Sequence, residues 1–131
     1  MNACVLDTDV VIAALDRRDV HHEAAAALVL RLVDDETPRL LSTVNYAEAL
    51  VRPAVDGPTL RRAVDAIAAL GIRLVAPSAE IARAAARHRG RGISLADGFA
   101  IATAEGGGAA LASFDRRVRR AVSALSIELL G

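Results

Sequence analysis

The sequence predicts an α/β fold: a three-layer α/β/α sandwich with a short central parallel sheet. Three observations carry this prediction. Short apolar runs of strand length alternate with helical stretches along the whole chain, the order that parallel strands joined by helical crossovers require. The clearest run, at the N-terminus, is apolar on both faces, as a strand covered on both sides demands. The turn formers Gly, Pro and Asp fall between these stretches rather than inside them.

The elements follow in order. Ala3 to Leu6 is a buried strand ending at Asp7, and Val10 to Leu15 is a short helix. Asp19 to Val33 is an Ala- and Leu-rich helix, with Asp19 as its expected N-cap; Asp34, Asp35, Glu36 and Pro38 end it. Arg39 to Leu41 is the second strand. Thr43 to Val51 is helical and stops before Pro53. Asp56-Gly57-Pro58 reads as a turn. Thr59 to Leu70 follows as an amphipathic helix closed by Gly71. Ile72 to Val75 is the third strand. Pro77-Ser78 opens a helix to Arg89, and Gly90-Arg91-Gly92 is a loop. Ser94 begins a helix that ends at Gly106-Gly107-Gly108. Ala109 to Ala112 is the fourth strand, Asp115 caps a short basic helix, and Ile127 to Leu130 is a fifth strand or tail. The glycine triplet lacks the Lys and Ser/Thr of a phosphate loop, so it reads as a helix-to-strand turn.

The 131 residues form one expected domain, 1–131. At 53% hydrophobic and 24% charged, the composition is globular. Aromatics are 2%, so the core must be aliphatic, and base stacking on aromatic platforms is a poor way for this chain to hold nucleic acid. All 16 basic residues are Arg, balanced by 16 acids. A neutral total argues against a large basic footprint, so any nucleic-acid contact must be a local patch. The single cysteine, Cys4, cannot form an internal disulfide and reads as a buried strand residue in a reducing, cytoplasmic setting. No leader is expected at the N-terminus, and no apolar run approaches the roughly 18 residues of a membrane span.

Four acids stand where strands hand over to helices: Asp7, Glu48, Asp97 and Asp115. In an open parallel sheet that edge is where ligands bind. Gathered there, four carboxylates repel one another unless a cation sits among them, and all-oxygen ligands suit Mg²⁺ or Mn²⁺ rather than Zn²⁺. Each acid also has a plainer reading. Asp7 or Asp9 can cap the helix that follows, and Asp115 can cap the last one. Ser94 to Asp97 and Asn45 to Glu48 have capping-box spacing. Both readings place carboxylates at helix N-termini, so spacing alone does not choose between them.

The local sequences around these acids do. Val5-Leu6-Asp7-Thr8-Asp9-Val10-Val11-Ile12-Ala13 resembles the opening strand and turn of PIN domains. Asn45-Tyr46-Ala47-Glu48 resembles their second motif, Ser94-Leu95-Ala96-Asp97-Gly98-Phe99-Ala100-Ile101-Ala102 their third, and Ala112-Ser113-Phe114-Asp115-Arg116-Arg117 their fourth. The order matches and the resemblance spans the chain. It implies a metal-dependent endoribonuclease whose Asp7, Glu48, Asp97 and Asp115 bind Mg²⁺ or Mn²⁺ and carry catalysis. Asp7 and Asp97 then hold the principal ion, Glu48 orients or deprotonates the attacking water, and Asp115 completes the shell or a second site. Cleavage leaves a 5′-phosphate and a 3′-hydroxyl. Ser113 matches a polar supporting position. Asp9 stands where the family often has Ser or Asn and reads as a helix cap, with a fifth site carboxylate as the alternative.

Two arginine groups are candidate RNA contacts: Arg87, Arg89 and Arg91, and Arg116, Arg117, Arg119 and Arg120. Their plainer reading is a solvated basic face. His21, His22 and His88 are expected to have no chemical role. A compact chain of this kind resembles bacterial toxins of the VapC type, which implies a homodimer and a cognate antitoxin whose tail enters the acidic site. One alternative is a PIN-like module that has lost catalysis and only binds a partner. Another is a haloacid-dehalogenase-like phosphatase, suggested by Asp7-Thr8-Asp9-Val10-Val11 but lacking the Lys that would anchor phosphate.

Overall fold

The structure, a computed structural model, describes residues 2–131. Five strands, β1 (Cys4–Leu6), β2 (Arg39–Ser42), β3 (Ile72–Val75), β4 (Ala110–Ala112) and β5 (Leu129–Leu130), form one sheet in the order β3-β2-β1-β4-β5. Every pairing is parallel. Among the described residues seven α-helices accompany them: α1 (Thr8–Leu15), α2 (His22–Asp34), α3 (Thr43–Ala49), α4 (Gly57–Ala69), α5 (Ala79–Arg89), α6 (Leu95–Gly107) and α7 (Arg116–Val122).

The period-two alternation of strands builds the layers. In central β1, Cys4 and Leu6 face a core shared with α1, α2 and Ile67 of α4, while Val5 faces a second core with Ile101, Ala104 and Val118 from α6 and α7. In β4, Ala110 and Ala112 join the first core and Leu111 the second. Neither face of β1 meets water, which is why its sequence is apolar without a break. Cys4 lies inside this packing, and burial pushes its thiol up to about 12, so it is an inert core group.

Several boundaries differ from the sequence expectation. α2 begins at His22, not Asp19, because the Asp19 carboxylate turns inward to its own loop and accepts the His21 N–H. The Asp56-Gly57-Pro58 turn is the start of α4: Asp56 is the N-cap, accepting the Thr59 N–H, and Gly57 and Pro58 are the first helical residues. α3 stops at Ala49, and Pro53–Val55 is a separate 3₁₀ turn. The cap of α3 is Ser42, whose hydroxyl accepts from the Val44 N–H, so Asn45 and Glu48 do not form a capping box. Ser94 caps α6, accepting the Asp97 N–H. Gly106 and Gly107 remain helical, and Gly108 ends α6 in the left-handed region at φ 60°, where only glycine is free of strain.

Candidate active site

The strands deliver the acids to one edge. β1 ends directly at Asp7, which is 1% exposed and caps α1: its Oδ1 accepts the Thr8 N–H at 2.9 Å. β4, hydrogen-bonded beside β1, ends at Ser113, whose hydroxyl donates to Asp7 Oδ2 at 2.7 Å. The same Ser113 oxygen accepts the Asp115 N–H, and Asp115 caps α7, accepting from the N–H groups of Arg117 and Val118. Capping and site formation are therefore the same geometry here, not competing explanations.

Asp9 is not the helix cap. It lies in the first turn of α1 and its Oδ2 accepts the Phe114 N–H at 3.0 Å, tying the start of α1 to the turn that carries Asp115. Its Oδ1 is buried with no partner. His21 stacks on the Phe114 ring at a centroid distance of 4.6 Å, over the same turn. His22 bonds to the Ala13 carbonyl oxygen, joining α2 to α1.

Asn45 supplies a second tie, a role different from the capping its spacing to Glu48 suggested. It is fully buried, and its Nδ2 donates to Thr8 Oγ1 at 2.9 Å and to the Ala96 carbonyl oxygen at 3.0 Å. Thr8 follows Asp7 and Ala96 precedes Asp97, so one amide holds together the segments that carry both acids. The signal in the sequence was a polar residue three places before Glu48, within the second motif. Asn45 Oδ1 is also buried without a partner.

Asp7 is pushed up to about 8, chiefly by burial, then by repulsion from Asp97 and Asp9, against the opposing bonds from Ser113 and Thr8. Burial raises Asp97 as well, with repulsion from Asp115 and Glu48 adding to it. Burial raises Asp9, which also feels Asp115 and Asp97. Five carboxyl groups thus share one field. Glu48, on α3, is exposed, while Asp97 and Asp115 are half-buried, so the cluster grades from a dry centre at Asp7 to a wet rim.

A divalent cation fits this donor set. Hard oxygen ligands that resist ionisation beside one another, together with an orphaned carboxylate oxygen on Asp9, are stabilised by positive charge. Among the described residues no three His, Cys, Asp or Glu side chains are already drawn together as a closed cage.

The arginines divide. Arg119 is fastened to the strand ends, its Nη1 donating to the carbonyl oxygens of Ser113 and Leu130, so it is structural rather than a free RNA contact. Arg87, Arg89, Arg91, Arg116, Arg117 and Arg120 are exposed. Of these, Arg91, Arg117 and Arg120 line one groove with His88.

Comparison with known proteins places this arrangement. The PIN domain family model matches residues 4–123. At the level of sequence alone, no curated protein matches the chain. Among solved structures, FitAcB from Neisseria gonorrhoeae is similar over 98% of this chain and 96% of its own, at TM-score 0.71 and 22% identity. VapC20 from Mycobacterium tuberculosis, described as a sarcin–ricin loop cleaving toxin, is similar over 91% and 95%, at TM-score 0.70 and 20% identity. VapBC2 from Rickettsia felis, bound to a DNA fragment from their promoter, is similar over 97% and 96%, at TM-score 0.74 and 14% identity. No helix among the described residues is long and apolar enough to cross a membrane.

Proposed function

The chain belongs to the PIN-domain family, and from that premise we propose that it is a divalent-metal-dependent endoribonuclease and the toxin half of a bacterial toxin–antitoxin pair. The observation that carries this reading is the acid cluster at the carboxyl edge of the sheet, centred on Asp7 and raised by burial and mutual repulsion. Such a centre is costly for a merely structural role, because among the described residues no basic side chain forms an ion pair with these acids. The likeness of the fold to a toxin described as cleaving the sarcin–ricin loop supports the choice of RNA.

In this reading Asp7 and Asp97 hold Mg²⁺ or Mn²⁺, and Asp115 completes the shell or a second site. An ion held there would offset the negative charge of the phosphodiester and would favour ionisation of water near neutral pH. Glu48, at the exposed rim, orients the attacking water and accepts its proton. Ser113, Asp9 and Asn45 position these groups: Ser113 orients Asp7, Asp9 braces the turn before Asp115, and Asn45 joins the Asp7 and Asp97 segments. In-line attack leaves a 5′-phosphate and a 3′-hydroxyl. The natural setting includes an antitoxin that covers the acids, and a homodimer.

The test is incubation of the purified chain with total RNA in Mg²⁺, Mn²⁺ or EDTA, followed by end-group analysis. Metal-dependent cuts bearing 5′-phosphates support the reading. Absence of cleavage by folded, metal-loaded protein would turn it toward the partner-binding module.

A further inference from the structure

The sequence offers two separate arginine groups, one before α6 and one on α7. The fold brings members of each into one groove of about 440 Å³, lined by His88, Arg91, Ile93, Arg117, Arg120 and Ala121 among others. Positions 117, 120 and 121 recur at helical spacing, so they form one stripe of α7 along the groove, which Ala124 in the following turn extends. The opposite wall is the 91–93 segment.

Three features suit this groove to a polyanion. First, among the described residues Arg91, Arg117 and Arg120 have no acidic partner; the ion pairs present are Arg18–Asp16 and His88–Glu105. Three arginines on one groove therefore have no ion-pair partner of their own. Second, the floor is fixed. His88 is 5% exposed and its Nε2 lies 2.7 Å from Glu105 Oε1, which fastens α5 to α6 beneath the arginines. Third, both walls run into the acid site. The Arg117 N–H donates to Asp115 Oδ1, and Ile93 immediately precedes Ser94, the cap of the helix that carries Asp97.

We infer that this groove binds the phosphodiester backbone of single-stranded RNA beside the scissile bond, with Arg91, Arg117 and Arg120 as the phosphate contacts. The inference rests on the ribonuclease reading for its choice of anion. Guanidinium groups match phosphate as a planar fork of donors, and a continuous strand entering the acids must lay its next phosphates on one of their flanks. The charge layout also answers a physical difficulty. Five acids repel RNA, and a neutral chain can offset that only with a local basic strip.

The probe is a fluorescein-labelled uridine dodecamer, its binding followed by anisotropy in EDTA, where no cleavage occurs, across a salt series. Arg117→Ala/Arg120→Ala should weaken binding about tenfold at low salt, and each lost contact should flatten the slope of log affinity against log salt by about 0.7. Arg117→Lys/Arg120→Lys should restore most of the slope but less of the affinity, because charge survives and the fork does not. Arg61→Ala/Arg62→Ala, on exposed α4, should match wild type. Equal affinity and equal slope for the Arg117/Arg120 variant and wild type would overturn the groove, even if wild type cleaves RNA. A wild-type protein that binds the dodecamer through these arginines but never cleaves would leave the groove standing and overturn the nuclease instead. If the groove instead serves an acidic protein partner, wild type will show no salt-dependent RNA binding, and the inference fails.

Discussion

The Ser113 hydroxyl donates to the Asp7 carboxylate across 2.7 Å, joining residues 106 apart in sequence at the ends of neighbouring strands. The same oxygen accepts the Asp115 N–H. One buried hydroxyl therefore orients two of the acids.

Ser113→Ala should remove both effects. A buried carboxylate left without its donor costs about 1–3 kcal/mol, and loss of a ligand-orienting group lowers metal affinity or activity about 10- to 100-fold. Urea unfolding and Mn²⁺ titration check the two figures separately. A stability loss with unchanged Mn²⁺ affinity would confine Ser113 to the core.

The pH dependence has a definite sign. Asp7 sits at about 8 in the folded chain against an ordinary value of 3.8. The folded state therefore holds a proton that the unfolded state has lost. The resulting stabilisation is complete below about pH 4 and disappears as pH rises through about 8. Asp9 and Asp97 are raised in the same direction. In EDTA the melting temperature should fall between pH 5 and pH 8. Saturating Mn²⁺ should reduce or reverse that fall, since the cation replaces the proton. A melting temperature that is flat across this range in EDTA would contradict the assignment of Asp7.

Asn45→Ala should cost about 1–3 kcal/mol, because Thr8 and the Ala96 carbonyl lose their common donor. Asn45→Asp should cost more at pH 8 than Asn45→Ala, since it removes the same donor and adds a buried negative charge beside Asp7 and Asp97. Thermal melts of the two variants with and without Mn²⁺ check the order. The reverse order would show that Asn45 does not face the acids' field.

Gly98 follows Asp97 and lets α5 approach α6 closely: a Cβ there would stand 2.8 Å from the Ala85 carbonyl oxygen. Alanine is the better helix former by about 1 kcal/mol, but the obstacle is backbone and cannot swing aside. Gly98→Ala should therefore be a net loss of roughly 1–3 kcal/mol from overpacking, measured by urea unfolding. A stabilised variant would mean the two helices can slide apart at little cost.

The layout of the fold was legible because its signals are local. Cys4 to Leu6 is apolar on both sides, and Ile72 to Val75 lies between Gly71 and Pro77. The acids were legible for the same reason, each being embedded in its own short motif. What escaped were competitions and distant contacts. Asp19 and Asp56 are equally good caps by type, yet the Asp19 side chain bonds its own loop while Asp56 caps α4. Asp9 looked like a cap because its true partner, the Phe114 N–H, lies 105 residues away. Asn45 bonds partners 37 and 51 residues distant, which no local pattern encodes. The two arginine groups likewise became one groove only once α7 packed near the loop before α6.

The most direct measurement compares RNA cleavage by wild type and Asp7→Asn in saturating Mn²⁺, with unfolding followed in parallel. Asparagine can still accept the Thr8 N–H and bond Ser113, so the fold should survive, and removal of the raised carboxyl should make the metal-free protein at least as stable at pH 8. Cleavage should fall to background. Wild-type cleavage by a correctly folded Asp7→Asn variant would contradict the placing of the ion and the chemistry at Asp7.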